Sequence, residues 1–286
     1  MFKVGILGTE NSHALAFARL IKEKAKYRDV EITGVYGYDA AANQKLLNEG
    51  LVSYVAQDPH EFLGKVDGIV VVARHGDHHH EYALPYVKAG IPAFIDKPFT
   101  VDLEKAQELL DAAKENGALI CGGSSLKFAD EFLPLKRYAE KNTVVGGYVA
   151  APINMVNDYA GFYFYSQHLI EILFTVFGKD IKTVYASCPD ESKNRVSVIV
   201  GYDTFDVTIQ FVDCYHYAAG VVCKEGVQTA VASDIVYCYE KELDEYFHMV
   251  KEQKMEQDYA EYKKPVTLLH CIQESYQQKK VVEVKW

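Results

Sequence analysis

The stretch KVGILGTENSHALAF, Lys3–Phe17, contains the change of pattern that decides the fold. An apolar run typical of a buried strand ends at Gly8, a short polar turn follows, and apolar residues then recur at helical spacing. A strand, a glycine turn and a helix in this order are typical of the first unit of a nucleotide-binding α/β sheet. The fingerprint of such units reads Gly-x-Gly-x-x-Gly, but Glu10 and His13 replace its second and third glycines.

The same alternation continues through the first third of the chain. Strand and helix patterns follow each other at intervals of about 20–30 residues, which predicts a doubly wound parallel sheet of the Rossmann type with helices on both faces. Such sheets bind ligands beyond the carboxyl ends of their strands. The predicted strands after the first are 30–38, 66–73, 92–100 and 118–125, and the predicted helices are 14–27, 40–50, 81–90 and 103–117.

The pattern changes after about Lys127, where longer β-rich runs with internal alternation appear. Alternation of this kind is typical of strands with one covered face, so we predict an α+β domain with a largely antiparallel sheet. Helical patterns lie near 163–177, at 240–253 and at 266–280. We therefore expect a dinucleotide-binding domain over 1–125 and a substrate and oligomerisation domain over 126–286, with the C-terminal helices able to pack back on the first domain.

Composition and charge exclude several classes of function. The 286 residues are 49% hydrophobic and 24% charged, and the formal net charge is −10. An acidic chain with scattered cations argues against nucleic-acid binding, which needs a basic face. We find no apolar run of about 18 residues and no signal-peptide pattern, and the six cysteines form no C-x-x-C pair. These features predict a cytoplasmic protein with reduced thiols and no membrane partner.

The turn after the first strand is a candidate anion site. Gly8 provides the tight turn, and Asn11 or Ser12 can cap the following helix. A helix N-terminus attracts phosphate, but the Glu10 carboxylate competes for the same positive end. From these residues alone, a purely structural turn and a nucleotide site are equally good interpretations.

Two further strand ends carry polar residues. At the end of the second strand, where an acid usually holds a ribose, the spacing places Gly37. Tyr38 could stack on an adenine, and Asp39 is predicted to cap a helix. The segment RHGDHHH, 74–80, is interpreted as a strand-end loop at the edge of a cofactor. A metal site is the weaker interpretation, since His78, His79 and His80 lack the i, i+4 spacing of helical ligands.

Two more segments carry candidate catalytic groups. Asp96-Lys97-Pro98 ends the fourth strand, where proline can aim a lysine over a cleft. His168 and Glu171 are three residues apart on one helix face, where the acid could orient the imidazole. The alternatives are an exposed lysine and a helix start buried among aromatic residues.

Taken in order, these segments resemble the Gfo/Idh/MocA family of NAD(P)-dependent oxidoreductases. The similarity rests on VGILGT, VVVARHGDHHHEYALPYVKAGIPAFIDKPFT, SLKFADEFLPLKRYAEKN and SQHLIEILFTVFG. It covers nearly the whole chain and is most specific around Lys97, where DKP looks like a variant of the family's E-K-P.

The resemblance implies a hydride transfer between NAD or NADP and a sugar, inositol or related polyol. It implies that Lys97 lies between the nicotinamide and the substrate, that His168 is the acid/base, and that the chain forms a homo-oligomer, a dimer or tetramer. No metal is expected. The implied cofactor residues are Gly8, Thr9, Glu10, Asn11, Tyr38, Arg74, His75, His79, Asp96 and Lys97, and the implied substrate residues are Lys127, Tyr165 and Glu171.

Three departures from the family pattern leave other functions open. Glu10 replaces a fingerprint glycine, Gly37 replaces the ribose acid, and Phe164 replaces the aspartate often found four residues before the family's histidine. These changes favour the alternative of a scaffold that binds a ligand or partner without redox turnover. A metal-dependent hydrolase or lyase that uses the histidine segment is a third hypothesis. Glu10 itself is predicted to weaken or reshape dinucleotide binding.

Overall fold

The computed structural model describes residues 1–286 and divides the chain into two compact units. The first unit contains Met1–Gly123 and Tyr239–Lys263, and the second contains Ser124–Cys238 and Lys264–Trp286. Each unit is therefore built from two separate stretches of sequence.

The first unit holds a five-stranded parallel sheet with the strand order β2-β1-β3-β4-β5. This order confirms the predicted doubly wound Rossmann-type sheet. All residues of β3, β4 and β5 are buried, as expected for parallel strands covered on both faces. The strands are β1 Phe2–Leu7, β2 Val30–Tyr36, β3 Gly68–Val71, β4 Ala93–Asp96 and β5 Ile120–Gly123.

The helices of this unit begin at side-chain caps. Asn11 and Asp39 cap α1 and α2, as their sequence positions predict, and Gly117 ends α4 in the left-handed conformation. Residues Leu243 and Tyr246 from the second stretch are fully buried in the core with Val4. The helices are α1 Ser12–Glu23, α2 Ala40–Asn48, α3 Gly76–Lys88 and α4 Leu103–Asn116, followed later by α7 Tyr237–Glu252.

Helix α3 begins at Gly76, five residues before the predicted start at Glu81, so the interpretation of 74–80 as a loop is wrong for most of the segment. The physical reason is a cap that histidine rarely provides: His75 Nδ1 accepts a hydrogen bond from the Asp77 backbone N–H at 3.2 Å. Asp77 in the first turn adds a favourable interaction with the helix dipole. The neighbouring histidines consequently point in different directions around a helix.

Gly8 is the position where the backbone requires glycine. Its φ is +105°, and a Cβ there would overlap the backbone nitrogen of Ala73. We expect Gly8→Ala to lower the free energy of unfolding by about 2 kcal/mol or more, because positive φ and overpacking both add cost. Urea unfolding measures this, with Gly64→Ala as the control.

Gly64 has a similar positive φ of +73°, but no atom lies within 4 Å of the position that a Cβ would take there. Gly64→Ala should therefore lower the free energy of unfolding by only about 1 kcal/mol, the cost of a positive φ for a residue with a Cβ. Equal losses for the two variants would contradict the close approach of Gly8 to Ala73.

The second unit holds a seven-stranded sheet with the order β11-β10-β6-β9-β8-β7-β12. All neighbours are antiparallel except β6 and β9, which confirms the largely antiparallel sheet. Helices α5 Leu133–Lys141, α6 Tyr163–Phe177 and α8 Lys264–Gln278 complete the unit. The strands are β6 Val144–Pro152, β7 Thr183–Ser187, β8 Val196–Gly201, β9 Asp206–Val212, β10 Tyr217–Cys223, β11 Gly226–Ala232 and β12 Val282–Glu283.

None of the helices combines the length and the apolar character that crossing a lipid bilayer requires.

Candidate functional site

The candidate ligand-binding edge of the first unit lies beyond the carboxyl ends of its strands. The strand order changes direction at β1, because β2 lies on one side of it and β3 on the other. In open α/β sheets this switch point forms the crevice that binds ligands. The loops that follow β1, β3 and β4 carry most of the cofactor residues predicted from the sequence.

Glu10 connects two of these loops. Its side chain is buried, and Oε1 accepts a hydrogen bond from the Arg74 backbone N–H at 3.2 Å. The other oxygen, Oε2, is buried without a hydrogen-bond partner. Burial raises the pKa of Glu10, although hydrogen bonds from its own N–H and from Arg74 and the charges of His78 and Arg74 oppose the shift. A carboxyl group with a raised pKa therefore lies next to the start of α1.

Thr9 fills the space beside Gly37. Its hydroxyl donates to Asn43 Oδ1 at 2.5 Å, and Asn43 Nδ2 donates to the Gly37 carbonyl oxygen at 2.8 Å. A Cβ at Gly37 would overlap Thr9 Oγ1, so Thr9 and a larger side chain at position 37 exclude each other. Tyr38 beside them is exposed, with its ring centroid 6.3 Å from that of His78.

The Asp96-Lys97-Pro98 segment forms a buried charge cluster at the end of β4. Asp96 Oδ2 lies 2.7 Å from His13 Nδ1 and accepts a hydrogen bond from Asn11 Nδ2 at 3.3 Å. Burial alone would raise the pKa of Asp96, but the nearby charges of His13 and Lys97 outweigh it and hold the pKa below its ordinary value. Asp96 is therefore ionised at neutral pH, and the buried Lys97 next to it is one of its counter-charges.

His79 lies beneath this edge and not on its surface. It is fully buried, and its Nδ1 and Nε2 lie 2.6 Å and 2.7 Å from the carbonyl oxygens of Pro98 and Ala73. Burial lowers the pKa of His79, against the charge of Asp96 and the two carbonyl contacts. The ring thus ties the loop after β3 to the loop that carries Lys97. Arg74 and the helix cap His75 are half-buried at the same edge.

His168 is the central residue of the candidate site in the second unit. It lies on α6, is 5% exposed, and its Nδ1 is 2.6 Å from Ser124 Oγ. Ser124 Oγ also accepts a hydrogen bond from the Leu126 N–H at 3.2 Å. The sequence did not identify Ser124, because a serine after a strand carries no signal of its own.

Glu171 does not have the direct orienting role that its spacing from His168 suggests. Its Oε1 accepts a hydrogen bond from Gln167 Nε2 at 3.1 Å, and the Ser124 backbone N–H also bonds its carboxylate. Burial raises the pKa of Glu171, and the charge of Lys127 opposes the shift. The acid therefore holds the backbone of Ser124, and the Ser124 hydroxyl contacts the imidazole.

Aromatic rings surround the start of α6. The Tyr165 ring lies 5.5 Å from that of His168 and 4.9 Å from that of Phe164, which in turn lies 5.0 Å from Tyr159. Lys127 Nζ lies 4.9 Å from the centroid of the Phe128 ring. Apolar ring faces of this kind suit the C–H faces of a sugar or cyclitol ring.

The side chains of histidine, cysteine, aspartate and glutamate form no group of three or more that is arranged to hold a metal ion.

Comparison with known proteins identifies the first unit. Residues 2–123 match the Gfo/Idh/MocA family model, described as an oxidoreductase family with an NAD-binding Rossmann fold. These residues, less than half of the chain, are therefore similar to the Gfo/Idh/MocA family. The matched residues contain the glycine turn at Gly8, the buried Asp96-Lys97-Pro98 segment and the parallel sheet.

Proteins similar to this chain are known in sequence and in structure. A segment of 144 residues, 49% of the chain, is 24% identical to 39% of inositol 2-dehydrogenase/D-chiro-inositol 3-dehydrogenase from Lactiplantibacillus plantarum. The chain spans less than half of the length of the curated relatives that it matches.

Two solved structures share the fold over 99% of both chains. Myo-inositol 2-dehydrogenase from Lactobacillus plantarum superposes with a TM-score of 0.85 at 14% identity. Scyllo-inositol dehydrogenase from Lactobacillus casei, solved with NAD(H) and scyllo-inositol, superposes with a TM-score of 0.81 at 13% identity. At these identities the comparison establishes a shared fold for both units.

Proposed function

We propose that this chain is a member of the Gfo/Idh/MocA family and an NAD- or NADP-dependent oxidoreductase that acts on an inositol, sugar or related polyol. The observation that carries the proposal is the buried Lys97 beside the ionised Asp96, at the carboxyl end of β4 in an NAD-type sheet. The names of the relatives support the substrate class, since they act on inositols. The acidic charge of −10 supports the expectation that the chain has no nucleic-acid partner. We further propose that the protein is cytoplasmic and has no membrane partner.

A dinucleotide fits the first unit if the Glu10 carboxyl is protonated. Gly8 and the start of α1 provide a turn and backbone N–H groups for a pyrophosphate, and the exposed Tyr38 can contact an adenine. An ionised Glu10 would repel the pyrophosphate, whereas a protonated Glu10 can donate a hydrogen bond to it. Burial raises the pKa of Glu10, so its protonated form persists to higher pH than that of an exposed glutamate. Thr9, Asn11, Arg74, His75, Asp96 and Lys97 are the other proposed cofactor residues, and His79 supports them from below.

In the proposed chemistry, Lys97 acts as the cation and His168 as the acid/base. A bound nicotinamide supplies the site that exchanges hydride with the substrate carbon. Lys97 donates a hydrogen bond to the substrate oxygen and stabilises negative charge on it. His168 takes the proton of the substrate hydroxyl during oxidation and returns it during reduction. Tyr165, Lys127 and Glu171 are the proposed substrate-side residues around His168.

Cofactor titration tests this function directly. We expect saturable binding of NADH or NADPH by the purified protein, measured by fluorescence or calorimetry, followed by turnover with a panel of inositols and sugars. Absence of binding of either cofactor at millimolar concentration would overturn the proposal.

Glu10 and the filled ribose position beside Gly37 favour a second candidate, a scaffold that binds a ligand without turnover. Hydride transfer that disappears in Lys97→Ala and His168→Ala excludes this scaffold.

Glu10→Gln is expected to tighten NADH binding, and more so at high pH. Glutamine has nearly the same shape but carries no charge, so it removes the repulsion that the carboxylate exerts on the pyrophosphate. Because the Glu10 carboxyl ionises as the pH rises, the wild-type affinity should fall with pH while that of the variant stays level. Calorimetric titrations across the range from pH 5 to pH 8 should follow this fall and give a gain of about tenfold at pH 8, equal to about 1.4 kcal/mol.

Glu61→Gln is the matched control, because Glu61 lies on the surface of the same unit and its pKa is lowered by Tyr54 and not raised by burial. It should leave the affinity for NADH unchanged across the same pH range. If Glu10→Gln or Glu10→Gly also leaves the affinity unchanged, Glu10 does not contact the cofactor.

We also propose that the outer face of the seven-stranded sheet pairs with the same face of a second copy. Tyr148, Thr208, Ile199 and Tyr185 are direct neighbours in the register of β6, β9, β8 and β7. Tyr148, Ile199 and Tyr185 are 38%, 48% and 44% exposed, so three large apolar side chains and the exposed Thr208 form a row across four strands. A continuous exposed row of this kind is typical of an interaction surface.

Ile199→Asp is expected to give a monomer of 32.2 kDa, because it places a charge at the centre of this row. Light scattering after gel filtration measures the mass. Val156→Asp is the control, since Val156 is 70% exposed but lies outside the sheet. A wild-type protein that is already monomeric at micromolar concentration contradicts the proposed pairing.

A further inference from the structure

The buried contact between Ser124 and His168 defines the chemistry available to the imidazole. Ser124 is fully buried, and its Oγ lies 2.6 Å from His168 Nδ1. The same oxygen accepts the Leu126 N–H at 3.2 Å. A hydroxyl has one hydrogen to donate and two lone pairs to accept with. The Leu126 N–H uses one lone pair of Ser124 Oγ. The hydroxyl hydrogen and the second lone pair remain for the contact with the His168 ring.

Ser124 is itself held in place at its backbone. It caps the short 3₁₀ turn Ser125–Phe128, and its N–H bonds the carboxylate of Glu171, which Gln167 also holds. Glu171 and His168 both belong to α6. The helix therefore fixes the serine through Glu171, and the serine in turn contacts the imidazole of the same helix.

The hydroxyl permits two arrangements of the imidazole proton. When Nδ1 carries hydrogen, it donates to Ser124 Oγ, and Nε2 has a lone pair that can accept a proton. When Nδ1 is bare, the serine O–H donates to it, the hydrogen of the neutral ring is on Nε2, and the ring is not a base at that atom. The tautomer is set by the hydrogen bond at the other nitrogen.

We propose that Ser124 is a positioning residue that fixes the ring orientation of His168 and accepts the Nδ1–H of the tautomer whose Nε2 exchanges the proton of the substrate. This inference rests on the proposed function for the identity of the proton donor. In the oxidation direction, the substrate O–H bond breaks, its electron pair stays on oxygen, and the proton goes to Nε2. The resulting imidazolium keeps its Nδ1–H contact with Ser124 Oγ.

The serine differs from a carboxylate in its effect on the base. A carboxylate at Nδ1 would stabilise the imidazolium by its charge and raise the basicity of the ring. The hydroxyl orients the ring without adding charge. Phe164 occupies the position four residues before His168, so no carboxylate from that turn of α6 competes with Ser124.

Ser124→Ala tests the inference by spectroscopy and by kinetics. Two-bond ¹H–¹⁵N spectra of histidine-labelled protein report the protonation of both ring nitrogens, and His168→Ala assigns the signals. We expect Ser124→Ala to shift both His168 nitrogen signals and to lower kcat by about 10- to 100-fold, less than the full contribution of an acid/base group. KM and the affinity for NADH should change less than about threefold, because Ser124 acts on proton transfer and not on binding.

Ser125→Ala is the matched control, since it removes the hydroxyl of the adjacent buried serine. It should leave the His168 signals where they are. In the His168→Ala background, Ser124→Ala should cost nothing further, because its effect passes through the imidazole. If Ser124→Ala does not fold, Ser124→Cys keeps the shape while weakening the hydrogen bond, and the same shifts are expected.

Unchanged His168 signals in the Ser124 variants would overturn the inference, as would a loss of activity that persists without His168. The test is separate from that of the proposed function. If no polyol is oxidised but the signals shift as expected, the positioning by Ser124 holds and the proposed reaction fails. If polyols are oxidised and the signals do not respond, the reaction holds and the inference about Ser124 fails.

Discussion

Lys97→Met is expected to lower kcat/KM for polyol oxidation by about 10²- to 10³-fold, the range found when a single charge-stabilising donor is removed from an active site. Methionine preserves much of the buried aliphatic stem of Lys97, which is 5% exposed, and removes only the ammonium group. The charge of Lys97 is also one of the causes of the low pKa of Asp96. The variant should therefore raise the pKa of Asp96 as well as lose the hydrogen bond to the substrate.

Steady-state kinetics and a separate NADH titration distinguish the two roles proposed for Lys97. A loss in kcat with unchanged NADH affinity indicates action on the substrate oxygen, whereas a loss in affinity indicates a role in holding the cofactor. Lys88→Met is the control, because Lys88 lies on α3 of the same unit with its side chain 54% exposed. If the Lys97 variant retains wild-type kcat/KM, Lys97 takes no part in the reaction.

His168→Ala is expected to lower kcat by about 10²- to 10⁴-fold, the contribution typical of a general acid/base. The remaining activity should rise with pH, because hydroxide and water then compete better as proton acceptors once the imidazole is absent. The measurement is a pH profile of kcat for the wild type and the variant from pH 6 to pH 10. The profile of the wild type should show a titrating group that the variant lacks.

His248→Ala controls for the loss of a histidine in general, since His248 has a side chain that is 60% exposed on α7. It should leave the pH profile unchanged. A profile for His168→Ala that keeps the wild-type shape at a lower level would contradict an acid/base role and indicate only a positional one.

The alternation of strands and helices made most of the first unit predictable. A buried parallel strand is a short apolar run, and its helix has an apolar stripe, so both leave a periodic signal. The caps Asn11 and Asp39 and the terminal Gly117 were predicted from residue type alone, because few residues satisfy these positions. The early start of α3 was missed because its first turns are polar and its cap is a histidine.

The side-chain partners in the site were not predictable in the same way. Thr9, Gly37 and Asn43 interact across 34 or fewer positions of sequence, and Ser124 meets His168 across 44. Serine, threonine and asparagine occur at so many turns that no single one stands out without the fold. The assignment of Glu171 as the orienting acid followed helix spacing, which gives the shared face but not the contact that the side chain makes.

The first unit is built from two stretches of sequence that are far apart in the chain, and this limits how early it can fold during synthesis. Its core includes Leu243, Tyr246 and Met249, which leave the ribosome only after the strands β6–β11 of the second unit. The second unit in turn ends with Lys264–Trp286. The first unit therefore cannot reach its final packing before Tyr239–Lys263 has been synthesised, and a nascent chain that has just passed residue 123 still exposes apolar surface. Each unit thus completes its fold only after its second stretch of sequence has been made.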